Sequence, residues 1–163
     1  MKRKMTVAVL STLGVVALIF IIGLMLPKER EFVKQAELKS PPEKVFHIVS
    51  DFKNQASWRD DVQKIEVIDQ ETWIEFPEKG TPLTFRIQQK VENHLLEIEI
   101  IEPKSFDGKW IGTFEKTPTG TKVLFKEIVI ISNPFFRVLT SIFVDLEKTM
   151  DLYMENLKAK LVN

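Results

Sequence analysis

The order of apolar and polar residues divides the chain into three parts. Residues 5–26 carry no charged side chain. From residue 28 onward, most segments are short and alternate between apolar and polar residues, which is typical of half-buried strands. After Pro134, apolar residues recur every three or four positions, which is the spacing of one helix face. The chain therefore predicts an apolar N-terminal helix, a mostly β region and a C-terminal helix.

The uncharged N-terminal run is long enough to predict a membrane-spanning helix. At about 1.5 Å rise per residue, residues 5–26 would extend about 33 Å, enough for the hydrocarbon core of a bilayer. A cleaved signal peptide is the alternative, but its apolar region is usually about 7–15 residues long and ends at a small-x-small site. We therefore predict that residues 1–27 form an uncleaved anchor and that residues 28–163 form one domain.

This anchor would make the lipid bilayer a partner of the chain through residues 5–26, and the protein a single-pass membrane protein. Basic residues flank the run on both sides, so the positive-inside rule decides the orientation only weakly. The slight preference is for a domain outside the cytoplasm.

The β region predicts seven strands and one early helix. Ser40 is predicted to cap a helix whose first turn is Pro41-Pro42-Glu43, because Ser40 and Glu43 have the spacing of a capping box and proline is tolerated in the first turn. A short helical turn is expected at residues 53–58. Strands are predicted at residues 32–38, 62–68, 71–77, 83–92, 95–102, 106–117 and 122–131.

The C-terminal periodicity predicts one amphipathic helix of about 28 residues. Short strands in sequence, joined by small turns, indicate an antiparallel meander. A curved sheet with one apolar face needs a cover, and the long helix is the element able to supply it. The predicted fold class is α+β, with a curved antiparallel sheet wrapped around a long C-terminal helix. The apolar positions of that helix are Phe135, Leu139, Ile142, Leu146, Met150, Tyr153, Leu157 and Leu161.

Composition serves mainly to exclude classes of function. The chain has 23 basic and 23 acidic residues, no basic stripe and no cysteine, so neither a nucleic-acid partner nor a disulfide is expected. The two histidines, His47 and His94, have no ligand spacing, so no metal site is predicted. The glycines do not form a phosphate-binding loop, so no cofactor is predicted. Asp60 and Asp61 follow Trp58-Arg59 in a polar loop and are expected to be solvated.

Two polar residues interrupt otherwise apolar strand faces. With regular alternation, Gln89 shares a face with Phe85, and Glu127 shares one with Phe125. A buried polar group needs a partner, whether water, the other residue or a ligand. The alternative is a bulge, because a slip of one residue turns every following side chain to the opposite face.

Three segments and the order of elements resemble a known superfamily. The segments are "SPPEKVFHIVSDFKNQASW", "GKWIGTFEKTPTGTKVLFKE" and "MENLKAKL", and they resemble the START and polyketide cyclase/dehydrase-like (SRPBCC) proteins, whose fold is the helix-grip. The resemblance spans nearly all of residues 31–162, and the N-terminal run is outside it. It implies an internal apolar cavity between the sheet and the long helix, which holds a lipid, sterol, polyketide or other small hydrophobic molecule.

The strand parities and this resemblance together predict a set of cavity residues. They are Phe85, Gln89, Trp110, Phe114, Phe125, Glu127, Met150 and Tyr153.

A membrane rim is predicted at the junction of the last strand and the C-terminal helix. Only about five residues separate the N-terminal run from the first strand, so an anchored domain would lie against the headgroups. Aromatic rings suit that region, which favours Phe135 and Phe136 as the rim. The alternative is that the junction packs against Trp58 as ordinary core.

The expected function is non-catalytic binding of a hydrophobic small molecule at a membrane surface. One alternative is an enzyme of the cyclase/dehydrase kind, with Glu127 as the candidate catalytic residue. Another is a membrane-tethered protein-interaction module whose cavity is filled by side chains. The sequence leaves these three open.

Overall fold

The computed structural model describes residues 2–104, 107–143 and 145–162. The helices are α1 (Lys2–Met25), α2 (Pro42–Ser50), α3 (Pro134–Phe143) and α4 (Leu146–Val162), with one 3-10 helix at Phe52–Ser57. The strands are β1 (Glu29–Leu38), β2 (Val62–Val67), β3 (Thr72–Pro77), β4 (Leu83–Val91), β5 (Leu95–Glu102), β6 (Asp107–Thr117) and β7 (Gly120–Ile130).

All seven strands belong to one antiparallel sheet, in the order β1-β7-β6-β5-β4-β3-β2. Strands β2 to β7 follow each other as a meander, and β1 joins the far edge by pairing with β7 over its whole length. The short helices between β1 and β2 carry the chain from one edge of the sheet to the other. The predicted α+β class, with a curved antiparallel sheet and a covering C-terminal helix, is confirmed.

Helices α2 and α4 cover the concave face at one end of the sheet. Phe46 of α2 meets Phe114 of β6 edge to face, with 5.1 Å between ring centroids. Leu157 of α4 is fully buried among these residues. Lys44 Nζ donates to the Leu161 carbonyl at 3.0 Å, which ties α2 to the last turn of α4. The densest packing therefore involves the second half of α4 and leaves space beside its first half.

The early helix begins one residue later than predicted, so Ser40 is not its N-cap. Pro41 occupies the N-cap position without a side-chain cap bond, and the helix starts at Pro42. Ser40 is buried, and its carbonyl accepts a hydrogen bond from Thr121 Oγ1 at 2.7 Å. Through this carbonyl, Ser40 ties the end of β1 to the start of β7.

The predicted single C-terminal helix of about 28 residues is wrong, because α3 and α4 are separate helices. Asp145 lies between them, and its side chain accepts a hydrogen bond from the Lys148 amide at 3.1 Å. That is the bond of an N-cap residue, which satisfies an amide at the start of α4. The apolar spacing continues across the break, so periodicity alone did not reveal it.

The predicted single-pass membrane localisation is wrong. Among the described residues, no helix combines the length and the apolar character needed to cross a bilayer. The C-terminal end of α1 contacts α3 instead, where Phe20 lies 5.5 Å from Phe135 between ring centroids. Arg137 Nη1 donates to the Gly23 carbonyl at 3.1 Å. The C-terminal end of the apolar run thus has a partner helix in its own chain, which apolarity alone did not indicate. The boundary at residue 27 stays a prediction.

Candidate functional site

A cavity of about 130 Å³ lies between the concave face of the sheet and the first half of α4. Trp110 of β6 pairs directly with Glu127 of β7, so these two side chains are neighbours on that face. Phe125 lies two residues before Glu127 and shares its face. The lining residues are Val49, Phe52, Gln55, Arg59, Asp61, Trp73, Glu75, Phe85, Ile98, Trp110, Phe125, Glu127, Thr149, Met150 and Tyr153.

Aromatic rings in mutual contact make up much of the cavity wall. The rings of Trp110 and Phe125 have centroids 4.9 Å apart, and Tyr153 lies 5.7 Å from Phe125 and 6.1 Å from Trp110. Trp73 of β3 stacks on its cross-strand neighbour Phe85 of β4 at 5.6 Å, on the same face of the sheet. Such rings hold each other in place and offer apolar surface to a bound molecule.

The charged part of the wall is organised by Arg59, which follows the 3-10 helix. Its guanidinium donates to the Asp61 carboxylate through Nε at 3.1 Å and through Nη2 at 2.6 Å, a bidentate pair. Nη1 donates to Gln55 Oε1 at 2.7 Å and to Glu75 Oε1 at 3.2 Å. Trp73 Nε1 donates to the same Glu75 oxygen at 3.1 Å. The network links the 3-10 helix, the loop before β2, and β3.

Burial and charge act in opposite directions on Arg59. Burial alone lowers the pKa of its guanidinium, whereas the carboxylates of Glu75 and Asp61 raise it, and the net pKa lies above the ordinary value. Arg59 also lies 5.2 Å from the centroid of the Tyr153 ring, a cation–π distance. Burial raises the pKa of the Tyr153 hydroxyl. Arg59 is therefore a permanent cation and Tyr153 a neutral phenol at physiological pH.

Glu127 has no such partner. Burial raises the pKa of its carboxyl from an ordinary value of 4.5 to about 7, with Arg59 lowering the pKa and Asp61 raising it by smaller amounts. Within the described parts of the chain, no hydrogen bond from the protein reaches this carboxyl. The cavity therefore contains a largely buried acid that is about half protonated at neutral pH and faces open space.

Residues 29–162 match the family described as polyketide cyclase / dehydrase and lipid transport. The chain belongs to this family. Comparison with curated proteins gave no match.

Solved structures with the same fold are distant in sequence. A START superfamily protein from Mycobacterium smegmatis has a TM-score of 0.62 and 12% identity, covering 80% of this chain and 96% of that one. A norcoclaurine synthase point mutant from Thalictrum has a TM-score of 0.66 and 8% identity, covering 82% and 94%. The di-domain protein StfQ of the steffimycin biosynthetic pathway has a TM-score of 0.64 and 9% identity, covering 80% of this chain and half of that one. At these identities the likeness shows a shared fold.

Six of the eight cavity residues predicted from sequence line the cavity in the structure. They are Phe85, Trp110, Phe125, Glu127, Met150 and Tyr153. Phe114 instead lies beneath the cavity in the core, between Phe46 and Phe125.

Gln89 does not reach the cavity and is exposed. The register of β4 against β5 shifts between Ile87 and Gln89, because a bulge inserts one extra residue there. Gln89 therefore turns to the convex side, and Lys90 takes the concave side with its Nζ 5.5 Å from the Phe46 ring centroid. The alternative of a slipped register is the correct one for Gln89.

The predicted solvation of Asp61 is wrong, since it pairs with Arg59 at the cavity wall. Sequence reasoning also missed Gln55, Arg59 and Glu75 as cavity residues. Their one sequence signal is the spacing of Arg59 and Asp61, which in an extended segment places a cation and an acid on the same side. Glu75 lies on β3, and nothing in the sequence pairs it with the loop before β2.

Phe135 and Phe136 differ in their surroundings. Phe135 contacts Phe20 of α1, and Phe136 is 41% exposed. Trp58 does not take part in this junction and contacts Tyr153 at 5.5 Å between ring centroids. A membrane rim at these two residues stays a prediction.

Among the described residues, no group of three or more His, Asp and Glu side chains is placed to hold a metal ion.

Proposed function

We propose that this chain binds a small hydrophobic molecule, or the apolar part of a lipid, in the cavity between the sheet and α4 without transforming it. The observation that carries this proposal is the composition of the wall, in which aromatic and aliphatic side chains surround the space. Binding of an apolar ligand at such a surface is favourable, because the ligand replaces water next to apolar side chains. The family's description, which includes lipid transport, agrees with it.

The size of the cavity limits what it holds in this conformation. A volume of about 130 Å³ is close to that of an engineered cavity of about 150 Å³ that binds benzene. One aromatic ring or a short chain therefore fits without rearrangement. A longer molecule would extend past Thr149, which is exposed and lines the cavity at the first half of α4.

The charged network supports binding rather than catalysis. The three nitrogens of Arg59 all donate to protein acceptors, so this guanidinium is committed to holding the wall together. Asp61 and Glu75 are fixed by the same bonds. Groups held by several hydrogen bonds in this way stabilise the pocket wall, and moving them during a reaction would break those bonds.

The test is native mass spectrometry of the whole chain after mild purification, followed by organic extraction. We expect a bound small hydrophobic molecule that extraction releases. Thr149→Trp, which narrows the cavity's exposed side, should reduce the bound fraction, whereas Lys148→Trp at the neighbouring exposed position should not. A chain that carries nothing and takes up no added apolar ligand would contradict the proposal.

A second candidate is an enzyme that uses Glu127 as a general acid or base. The observation that favours it is the buried carboxyl whose pKa burial raises to about 7, because proton transfer is most efficient when the pKa lies near the working pH. An enzyme should lose turnover on Glu127→Gln and keep its affinity for the ligand. A binder has no turnover to lose.

A further inference from the structure

We propose that the cavity selects a ligand that joins an alkylammonium group to one aromatic ring or a short apolar chain, over an acid of the same shape. The inference rests on the proposed function and names the chemical class of its ligand. It follows from three features of the described wall: its net charge, the four hydrogen bonds that tie Arg59 to protein acceptors, and the open position beside Glu127.

The charges of the wall are unbalanced toward the negative. Among the described residues that line the cavity, Arg59 is the only cation, and it faces the carboxylates of Asp61 and Glu75. Glu127 adds a third carboxyl. The wall therefore carries a net charge of −1 when Glu127 is protonated and −2 when it is ionised. A ligand carboxylate would meet repulsion in a space with little water to screen it.

Arg59 has little left to offer an acidic ligand, because four of its five N–H groups already donate to protein acceptors. Nε and Nη2 are occupied by Asp61, and Nη1 is shared between Gln55 and Glu75. The side chains of Arg59 and Glu75 are each only 12% exposed, so the network faces inward and is largely dry. An acid that took two N–H groups of Arg59 would have to displace one of these partners, and displacing Asp61 or Glu75 would leave a buried carboxylate without its cation, which is costly.

Glu127 offers the opposite opportunity. Its carboxyl faces the cavity, and within the described residues no protein group donates to it. Trp110 is its direct cross-strand neighbour, and Phe125 and Tyr153 complete a cluster of rings within about 6 Å of one another. An ammonium group at this position would pair with Glu127 and lie against ring faces, which attract cations.

Such a ligand would couple binding to proton release. The charged and titratable groups around Glu127 are Arg59, Asp61, Glu75 and Tyr153; neighbouring carboxylates raise the pKa of Arg59, and burial raises the pKa of Tyr153. An ammonium ion favours the ionised form of Glu127. Below pH 7 the bound amine should therefore expel the proton that burial keeps on Glu127, and its affinity should rise as the pH rises toward 8.

The experiment is calorimetric titration of the whole chain with three probes of similar shape: 2-phenylethylamine, 2-phenylethanol and phenylacetate. At pH 7.5 we expect the amine to bind at least tenfold more tightly than phenylacetate and more tightly than the alcohol. At pH 6.5, titration in two buffers with different ionisation heats should show proton release with the amine and none with the alcohol.

Two variants separate the charge of Glu127 from its shape. Glu127→Gln should weaken binding of the amine at least tenfold, abolish the proton release and leave binding of the alcohol within about twofold, which also shows that the variant is folded. Glu115→Gln removes an exposed carboxylate from the same sheet and should change neither. If phenylacetate or the alcohol binds as tightly as the amine, the inference is wrong and the proposed function stands. If none of the three binds, both are overturned for ligands of this size.

Discussion

Two ionisable residues in the cavity wall respond to burial in opposite ways. Arg59 keeps its charge because Asp61 and Glu75 compensate for lost hydration. Glu127 has no hydrogen-bonded partner among the described residues, so burial favours its neutral form and raises its pKa to about 7. The Arg59 network therefore stabilises the wall, whereas the carboxyl of Glu127 leaves an open position for a ligand.

The raised pKa of Glu127 makes stability depend on pH. The folded chain holds this proton up to about pH 7, whereas the unfolded chain releases it near the ordinary value of 4.5. Between these values the folded state binds more protons, so the free energy of unfolding falls as the pH rises, by about 3 kcal/mol in total. Denaturant unfolding of wild type and Glu127→Gln from pH 4.5 to 8 measures this loss.

We expect Glu127→Gln to remove that fall in stability, so that the variant gains on wild type as the pH increases. Glu115→Gln, at an exposed position, should keep the wild-type dependence. A wild-type curve parallel to that of Glu127→Gln over this range would show that the carboxyl is solvated.

The Arg59 network is expected to be strongly cooperative. Arg59→Met leaves Asp61 and Glu75 without their cation and should cost about 3–5 kcal/mol of unfolding free energy. Adding Asp61→Asn and Glu75→Gln should restore part of the loss, because neutral amides need no counter-charge. Lys64→Met, which breaks the exposed pair with Glu66, should have no measurable effect. Chemical denaturation of the four proteins tests this, and a loss for Arg59→Met no larger than for Lys64→Met would contradict it.

For single residues, the sequence predicts which face of the sheet a side chain occupies, provided that the alternation along the strand is regular. Glu127 lies inside because β6 and β7 pair without a register shift, from Asp107 opposite Ile130 to Thr117 opposite Gly120. Gln89 lies outside because β4 contains a bulge, and no residue type in the sequence indicates that bulge. Arg59 and Glu75 meet only through the folded sheet, so their separate sequence contexts did not indicate the pair.

Among the elements, β6 determines the shape of the cavity floor. The indole of Trp110 lies across Gly112, where an added Cβ would stand 2.5 Å from the ring. Gly112 therefore keeps the indole flat against the strand. The sequence indicated only that the glycines form no phosphate-binding loop, and the structure shows that Gly112 accommodates a neighbouring side chain.

Gly112→Ala should push the Trp110 indole into the cavity. We expect a loss of about 1–3 kcal/mol in unfolding free energy, as for other overpacked sites, and weaker binding of 2-phenylethanol. Gly14→Ala is the matched control, since a Cβ there meets no atom within 4 Å. Tryptophan fluorescence and calorimetry measure the two effects. Unchanged affinity in a folded Gly112→Ala variant would show that the indole does not border the ligand space.

The spacing of apolar residues does not reveal the break between α3 and α4. Apolar residues keep helical spacing from Phe135 to Leu161, so the pattern predicted one helix. Asp145 caps α4 and ends that continuity. The break matters because it lets α4 cross the sheet independently while α3 packs on α1 through Phe135 and Phe20.

On the scale of the whole molecule, the order of elements was predictable because most strands lie between clear turn signals, such as the one at Thr119-Gly120. The family resemblance then implied a cavity between sheet and helix, and the structure contains one. The role of α1 was not predictable from apolarity, because an apolar helix can meet either lipid or another helix. The contact of Arg137 with the Gly23 carbonyl arises only in the folded chain.

The central claim is that a small apolar molecule occupies the space beside the first half of α4. The most direct measurement is NMR of ¹³C-methyl-labelled methionine during titration with 2-phenylethanol. Met150 lines the cavity and Met25 is 82% exposed, so one spectrum contains both the site and its control. Met150→Leu and Met25→Leu assign the two signals. We expect a saturable shift of the Met150 methyl signal, from the ring current of the bound ligand, while the Met25 signal stays in place. If the Met150 signal does not move, or if both signals drift together without saturation, the ligand is not in this cavity.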